Sequence, residues 1–364
     1  MPKCPEEAAR YNKIRVRLRL AGIVFTLLFL VLFQIFLASR LKTLAFSFIA
    51  NFYLAFTVFL VIFSLLNYAF EFPLHFYSGF ILERKFRLSN MSIFAWLTDD
   101  IKKGILSLVI FILFIQALYF FLRNFSAWWI WIAVFYLLAT IILAKIAPLV
   151  VIPLFFKYYP VGDELKKRII DLSGKCGIRV LDVYKIDFSR KTNKLNAAVV
   201  GMGATRRVLL ADNLIENFTD DEIAGVLAHE FGHHKMFHTW KILAFSALST
   251  FASFFALYLV SSPVAASLGA EHIYDMKVFP AFMLVLFLVT FALGPLQNGF
   301  SRHLERNADL FALRTIQNRD VFISLMRKLA ERNLAERNPS KLVKLLFYDH
   351  PPISERIKMA EKFE

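Results

Sequence analysis

The chain has 364 residues, 58% of them hydrophobic, with 41 Phe and a mean hydropathy of +0.55. A soluble protein of that length needs more polar surface than this composition supplies, so lipid must solvate much of it. A net charge of +15 suits nucleic acid or anionic lipid headgroups, and the long apolar runs decide for the membrane and against nucleic acid. Cys4 and Cys176 are the only cysteines, too few for a disulfide framework or a thiolate metal site. Both suit free thiols in a reducing compartment, and Cys4, near the first apolar run, is a candidate for S-acylation.

Six apolar stretches are long enough to cross about 30 Å of hydrocarbon as helices: 20–38, 44–70, 104–122, 127–144, 242–260 and 278–299, the last ending near Phe300. Gly294, Pro295, Gln297 and Asn298 suggest a kink or an early exit there. No small-residue cleavage site follows the first stretch, which therefore reads as a retained anchor. Lys3, Arg10, Lys13, Arg15, Arg17 and Arg19 precede it, and Arg40 and Lys42 follow it. Arg84, Lys85, Arg87, Lys102 and Lys103 lie between spans two and three, against Arg123 alone in the next short loop. The segments after spans four and six are again basic. The positive-inside bias predicts that both termini and both soluble segments are cytoplasmic, in a bacterial inner membrane or an ER membrane according to the organism.

The expected organisation has four parts. Residues 1–156 form a membrane region of about four spans, with an interfacial amphipathic loop at 71–103 that mixes Phe80, Phe86, Phe94 and Trp96 with charges. Residues 157–240 form an α+β segment, 241–300 two further spans, and 301–364 a helical segment. Within the α+β part, 163–176 reads as a helix, while 180–186, 196–202 and 207–210 read as short strands. A helix starts after Thr219, with Glu222 at capping-box spacing. Helices are expected at 301–315 and 320–334. Pro339 and the Pro351-Pro352 pair break the chain before a last short helix.

The helix after Thr219 carries His229-Glu230-Phe231-Gly232-His233, the pattern H-E-x-x-H. Histidines four apart share a helical face and can reach one ion, while Glu230 sits where it can take a proton from a metal-polarised water. A hydrolytic zinc site needs a third protein ligand and an open position. Glu305 supplies that ligand, and Asp309, on the same helical face, can accept the free N–H of a ligand imidazole. His234 and His238 show only that histidine is locally plentiful. The cluster flanks the spans, whereas a metal-binding transporter, the alternative of another class, places such residues inside them.

These motifs resemble the type I CAAX prenyl proteases, integral-membrane zinc metalloproteases of the gluzincin group. The resemblance lies in 82–103, 146–160, Asn196-Ala197-Ala198-Val199-Val200-Gly201, 227–235, 301–309, and His350-Pro351-Pro352 with Glu355-Arg356-Ile357. It implies one zinc ion on His229, His233 and Glu305, with Glu230 as general base. It implies that Asn196 and Ala197 lie on an edge strand that pairs with the substrate, and that His350 stabilises the oxyanion. It also implies that Arg302 or Arg356 pairs with Asp309 or otherwise braces the site. The expected fold is mainly α-helical, with six or seven membrane helices ringed around an intramembrane chamber and a small α+β metalloprotease domain. Eukaryotic members have seven spans against the six counted here. The expected substrates are membrane-associated or prenylated polypeptides, including CAAX proteins that lose a C-terminal tripeptide. The alternative within the same chemistry is quality control of membrane proteins without prenylation.

Overall fold

The computed structural model describes residues 5–201 and 203–363. Lys3, Cys4 and Met202 lie outside them. Among the described residues, six helices are long and apolar enough to cross a membrane.

Helix α1 (Pro5–Phe36) opens with Glu6 and Glu7 in its first turn, where acidic side chains favour a helix start. The expected second span is two helices. α2 (Ala38–Phe48) stops short, and the Asn51 side chain then accepts from the amides of Tyr53 and Leu54 to cap α3 (Phe52–Phe76). An apolar run therefore conceals a helix start that one amide side chain creates.

The interfacial loop expected at 71–103 is corrected by the structure. α3 runs through a wide π turn at Tyr77–Ile81 into α4 (Leu82–Lys85), and α5 (Ile93–Asn124) starts where the Ser92 hydroxyl accepts from Ala95 N–H. The mixed aromatic residues are not exposed as a group. Phe80, Phe86, Leu88 and Trp96 are buried, and Phe94 points outward. Tyr11 of α1 packs with Leu82, Phe86 and Leu88 against Leu334 near the far end of the chain.

After α6 (Trp128–Ile146) and the short α7 (Val151–Phe155), the chain enters the α+β part. Its elements are β1 (Tyr158–Pro160), α8 (Asp163–Lys175), β2 (Asp182–Ile186), β3 (Ala197–Val200), β4 (Arg207–Ala211) and α9 (Asp212–Asn217). The sheet order is β1-β2-β4-β3, with β2 and β4 parallel and both outer pairings antiparallel. β1 has no counterpart in the sequence reading, because three residues ending in Pro carry no alternation.

α10 (Asp220–Lys235) packs on the sheet and starts at the expected capping box, with the Thr219 and Glu222 side chains each satisfying the other's backbone amide. α11 (His238–Ser267) returns to the membrane. α12 (Phe279–Ile316) is one helix of 38 residues, so Pro295 ends nothing, and residues 301–315 belong to the last span helix. At about 1.5 Å per residue α12 is about 57 Å long, nearly twice the hydrocarbon thickness. One rigid rod thus carries both a membrane crossing and the chain's candidate third ligand. α13 (Arg319–Asn333), α14 (Lys341–Phe347) and α15 (Ile353–Glu361) follow. Val208, Leu210, Leu227, Phe231, Leu313 and Leu325 join the sheet, α10, α12 and α13 into one buried core.

Candidate metal centre

Two helices supply the centre. α10 carries His229, Glu230 and His233, and α12 carries Glu305 and Asp309. Gly232 lets them approach closely: a Cβ there would meet Phe311 of α12 at 3.1 Å. From the other side Glu222 receives Lys328 Nζ at 2.6 Å and Ser324 Oγ at 2.7 Å, which ties the start of α10 to α13.

The three candidate ligands converge. His229 Nε2 and His233 Nε2 are 3.1 Å apart. Glu305 Oε2 lies 3.3 Å from the first and Oε1 3.4 Å from the second. A tetrahedral site with ligand distances of about 2.0–2.1 Å has edges of about 3.4 Å, so the spacing fits a single ion. Glu305 Oε2 is buried without a hydrogen-bond donor, an acceptor left for a cation. Two imidazoles and a carboxylate are a zinc-type donor set.

The surroundings hold these ligands in place. Asp309 Oδ1 lies 2.9 Å from His229 Nδ1, and the Asp309 side chain is fully buried. Arg356 of α15 grips the same carboxylate with two nitrogens, Nε donating at 2.8 Å and Nη2 bonding the other oxygen. Of the two arginines expected as braces, Arg356 is the one that pairs with Asp309. Arg302 instead donates to the carbonyls of Lys344 and Tyr348, holding α14 and the loop after it.

Glu230 is half-buried and makes no hydrogen bond or ion pair among the described residues. Burial pushes its carboxyl above the usual range, towards the basicity a proton acceptor needs. His350, in the loop between α14 and α15, puts Nε2 3.3 Å from Glu305 Oε1 and Nδ1 2.9 Å from Asp349. The Asp349 carboxylate raises its affinity for a proton. The structure therefore brings His350 to the candidate metal ligands, 45 positions after Glu305 in the sequence, a juxtaposition that no local spacing reveals.

Asn196 immediately precedes β3, and Ala197 begins it. Among the described residues β3 is an outer strand, paired in the sheet with β4.

Two histidines that looked incidental in the sequence hold the centre together. Arg206 Nε donates to His234 Nδ1 at 3.2 Å, so His234 Nε2 carries the proton and donates to the Val199 carbonyl at 3.2 Å. This clamps the ligand helix to the edge strand. Phe237, in the left-handed region at φ 56°, turns the chain between α10 and α11. His238 then sits with Nδ1 3.1 Å from His233 Nδ1 and is almost fully buried. A His233 that offers Nε2 to a metal carries its proton on Nδ1, and His238 Nδ1 is placed to accept it. His238→Ala is expected to weaken metal binding by about 10–100-fold, measured by competition with a chromogenic chelator. An unchanged affinity would remove this role.

H-E-x-x-H on α10, directly before the membrane-length α11, and a facing glutamate on the membrane-length α12 are the arrangement of an integral-membrane metalloprotease. The chain belongs to peptidase family M48, which matches residues 162–364. Residues 3–157 match the family described as "CAAX prenyl protease N-terminal, five membrane helices". That stretch holds four membrane-length helices here, with α2 and α7 too short to join them. An uncharacterized metalloprotease of Bacillus subtilis is 30% identical over 312 residues, covering 84% of this chain and 73% of that protein. CAAX prenyl protease 1 of Saccharomyces cerevisiae is 30% identical over 323 residues, covering 82% and 70%. The crystal structure of S. mikatae Ste24p superposes with a TM-score of 0.85 at 25% identity, covering 99% of this chain and 89% of that one. The protein is thus a membrane-embedded metalloprotease of the prenyl-protease type, and its family implies a metal ion.

Proposed function

We propose that one zinc ion is held by His229, His233 and Glu305, with Asp309 orienting His229, and that the enzyme cleaves membrane-associated and prenylated polypeptides. Those substrates include CAAX proteins, from which it removes the C-terminal tripeptide. The observation that carries the reading is the convergence of three candidate ligand side chains, with ligand atoms within 4.8 Å of one another, between α10 and the membrane-length α12. Zinc, when bound, supplies a Lewis acid for the scissile carbonyl and a water of lowered pKa.

The chain's own groups do the rest. Glu230, free of other partners, takes the proton of the attacking water and passes it to the leaving amine. His350, braced by Asp349, donates to the oxygen on which negative charge develops. The free edge of β3, with Asn196 and Ala197, hydrogen-bonds the substrate main chain. This fixes its position without demanding a sequence. His234 keeps that edge in register with Glu230. The charge bias of the loops favours a cytoplasmic active site with both termini on the same side. The prenyl-protease names of the relatives favour a substrate with a lipidated chain terminus.

The test is mass spectrometry of a farnesylated peptide ending in a CAAX sequence after incubation with purified protein in lipid. The expected result is loss of the last three residues, abolished by a chelator. If that peptide stays intact while an unprenylated membrane protein is cleaved, the function moves to quality control.

A further inference from the structure

Beside the metal centre lies a cavity of about 470 Å³ whose wall includes Asn196 and His350 together with Arg15 and Arg19 of α1. That size is within the range of about 300–1,000 Å³ that encloses small ligands or a few residues of peptide. The cavity also meets Lys194 and Leu195, so it sits off the N-terminal end of β3. A peptide that pairs antiparallel with β3 runs with its own C-terminus towards Asn196 and Leu195. The residues that follow the scissile bond therefore enter this cavity.

The charges on the wall are unequal. Lys194 is neutralised by Glu83 at 2.7 Å, and Arg356 by Asp309. Arg15 and Arg19 have no carboxylate within ion-pair distance among the described residues. Arg15 lies over the Tyr11 ring at 5.4 Å, and Arg19 spends one N–H on the Phe347 carbonyl at 3.1 Å, leaving its other donors free. Two acids line the cavity. Asp349 is engaged by His350, and burial holds the Glu336 carboxyl above the ordinary range. An anion that enters meets two guanidiniums that no carboxylate of the described residues contacts, with Asp349 acting on Arg19 only through space. The one anion carried by every free C-terminus, whatever its sequence, is the α-carboxylate.

We infer that this cavity binds the C-terminal peptide of the substrate and that Arg15 and Arg19 hold its free α-carboxylate, so that the enzyme reads a chain end. The inference rests on the prenyl-protease reading above and adds the device that measures the cut. It also gives α1 a part in specificity, since that helix is otherwise remote in sequence from the centre.

The experiment compares kcat/KM for one farnesylated CAAX peptide in two forms, free acid and C-terminal amide, with wild type, Arg15→Gln, Arg19→Gln and the double variant. Wild type is expected to prefer the acid by at least about tenfold, the scale of a charge-assisted hydrogen bond, mainly through KM. The double variant is expected to bring the acid-to-amide ratio close to one. The readout is that ratio, so a variant that is merely less well folded slows both peptides and leaves it unchanged. Equal cleavage of both forms by wild type overturns the inference and leaves the prenyl-protease reading standing. A ratio retained in the double variant also overturns it. Cleavage of neither form by wild type removes the prenyl-protease reading and the subsite with it.

Discussion

Glu230→Gln is expected to lower the hydrolytic rate by about 10³-fold or more while leaving metal content and folding intact, since positioned proton transfer contributes about 10²–10⁴-fold. The geometry separates the two properties. Glu230 is not among the three converging ligands, and it makes no hydrogen bond or ion pair that its loss would leave unpaired. Glutamine keeps the shape and loses the basicity. Turnover of a fluorogenic peptide and metal content by mass spectrometry, on the same preparation, check both halves. Retained activity would remove Glu230 from its role as base. Lost metal would mean that it acts as a ligand.

The largest structural effect is expected at the Asp309–Arg356 pair. Asp309 is fully buried, the Arg356 side chain is only 10% exposed, and the two are joined by two hydrogen bonds. The neighbouring guanidinium and imidazole hold the Asp309 charge in a place that water does not reach. Removing one partner of such a pair costs about 3–5 kcal/mol, because the other charge stays buried and unanswered. Arg356→Met is therefore expected to lower the thermal midpoint sharply and to weaken zinc binding by about 10–100-fold, as loss of a ligand's hydrogen-bonding support does elsewhere. Asp309→Asn in the same chain restores part of the stability, because it removes the stranded charge. It leaves zinc binding weak, because His229 has lost its carboxylate. If the double variant is no more stable than Arg356→Met, the stranded-charge argument fails.

Much of this centre was legible in the chain itself. H-E-x-x-H states its geometry through helical periodicity, and Glu305 and Asp309 repeat the same four-residue logic on a second helix. The capping box at Thr219 gave the start of the ligand helix to the residue. The parts that stayed hidden depend on long-range contact. His234 and His238 act through partners that no spacing identifies: a strand carbonyl and the back of a ligand imidazole. The turn that brings His238 round rests on one left-handed Phe, a residue type that gives no sign of it. In the membrane region apolar composition marked the six membrane-length helices of the described residues but not their ends. Asn51 starts a helix inside an apolar run, and α12 passes Pro295 without a break. Helix interiors in lipid tolerate proline because neighbouring groups can satisfy the freed carbonyl. Residues 71–103 are largely helical rather than a loop, and their mixed aromatic and charged composition does not show it: Phe86 and Leu88 pack with Tyr11 and Leu334, contacts that no local spacing reveals.

The most direct test of the account is anomalous diffraction at the zinc absorption edge from crystals of the Glu230→Gln protein purified without added metal. The account expects a single peak bounded by His229 Nε2, His233 Nε2 and a carboxylate oxygen of Glu305. No peak there, or zinc held by other residues with these three side chains unengaged, would contradict it.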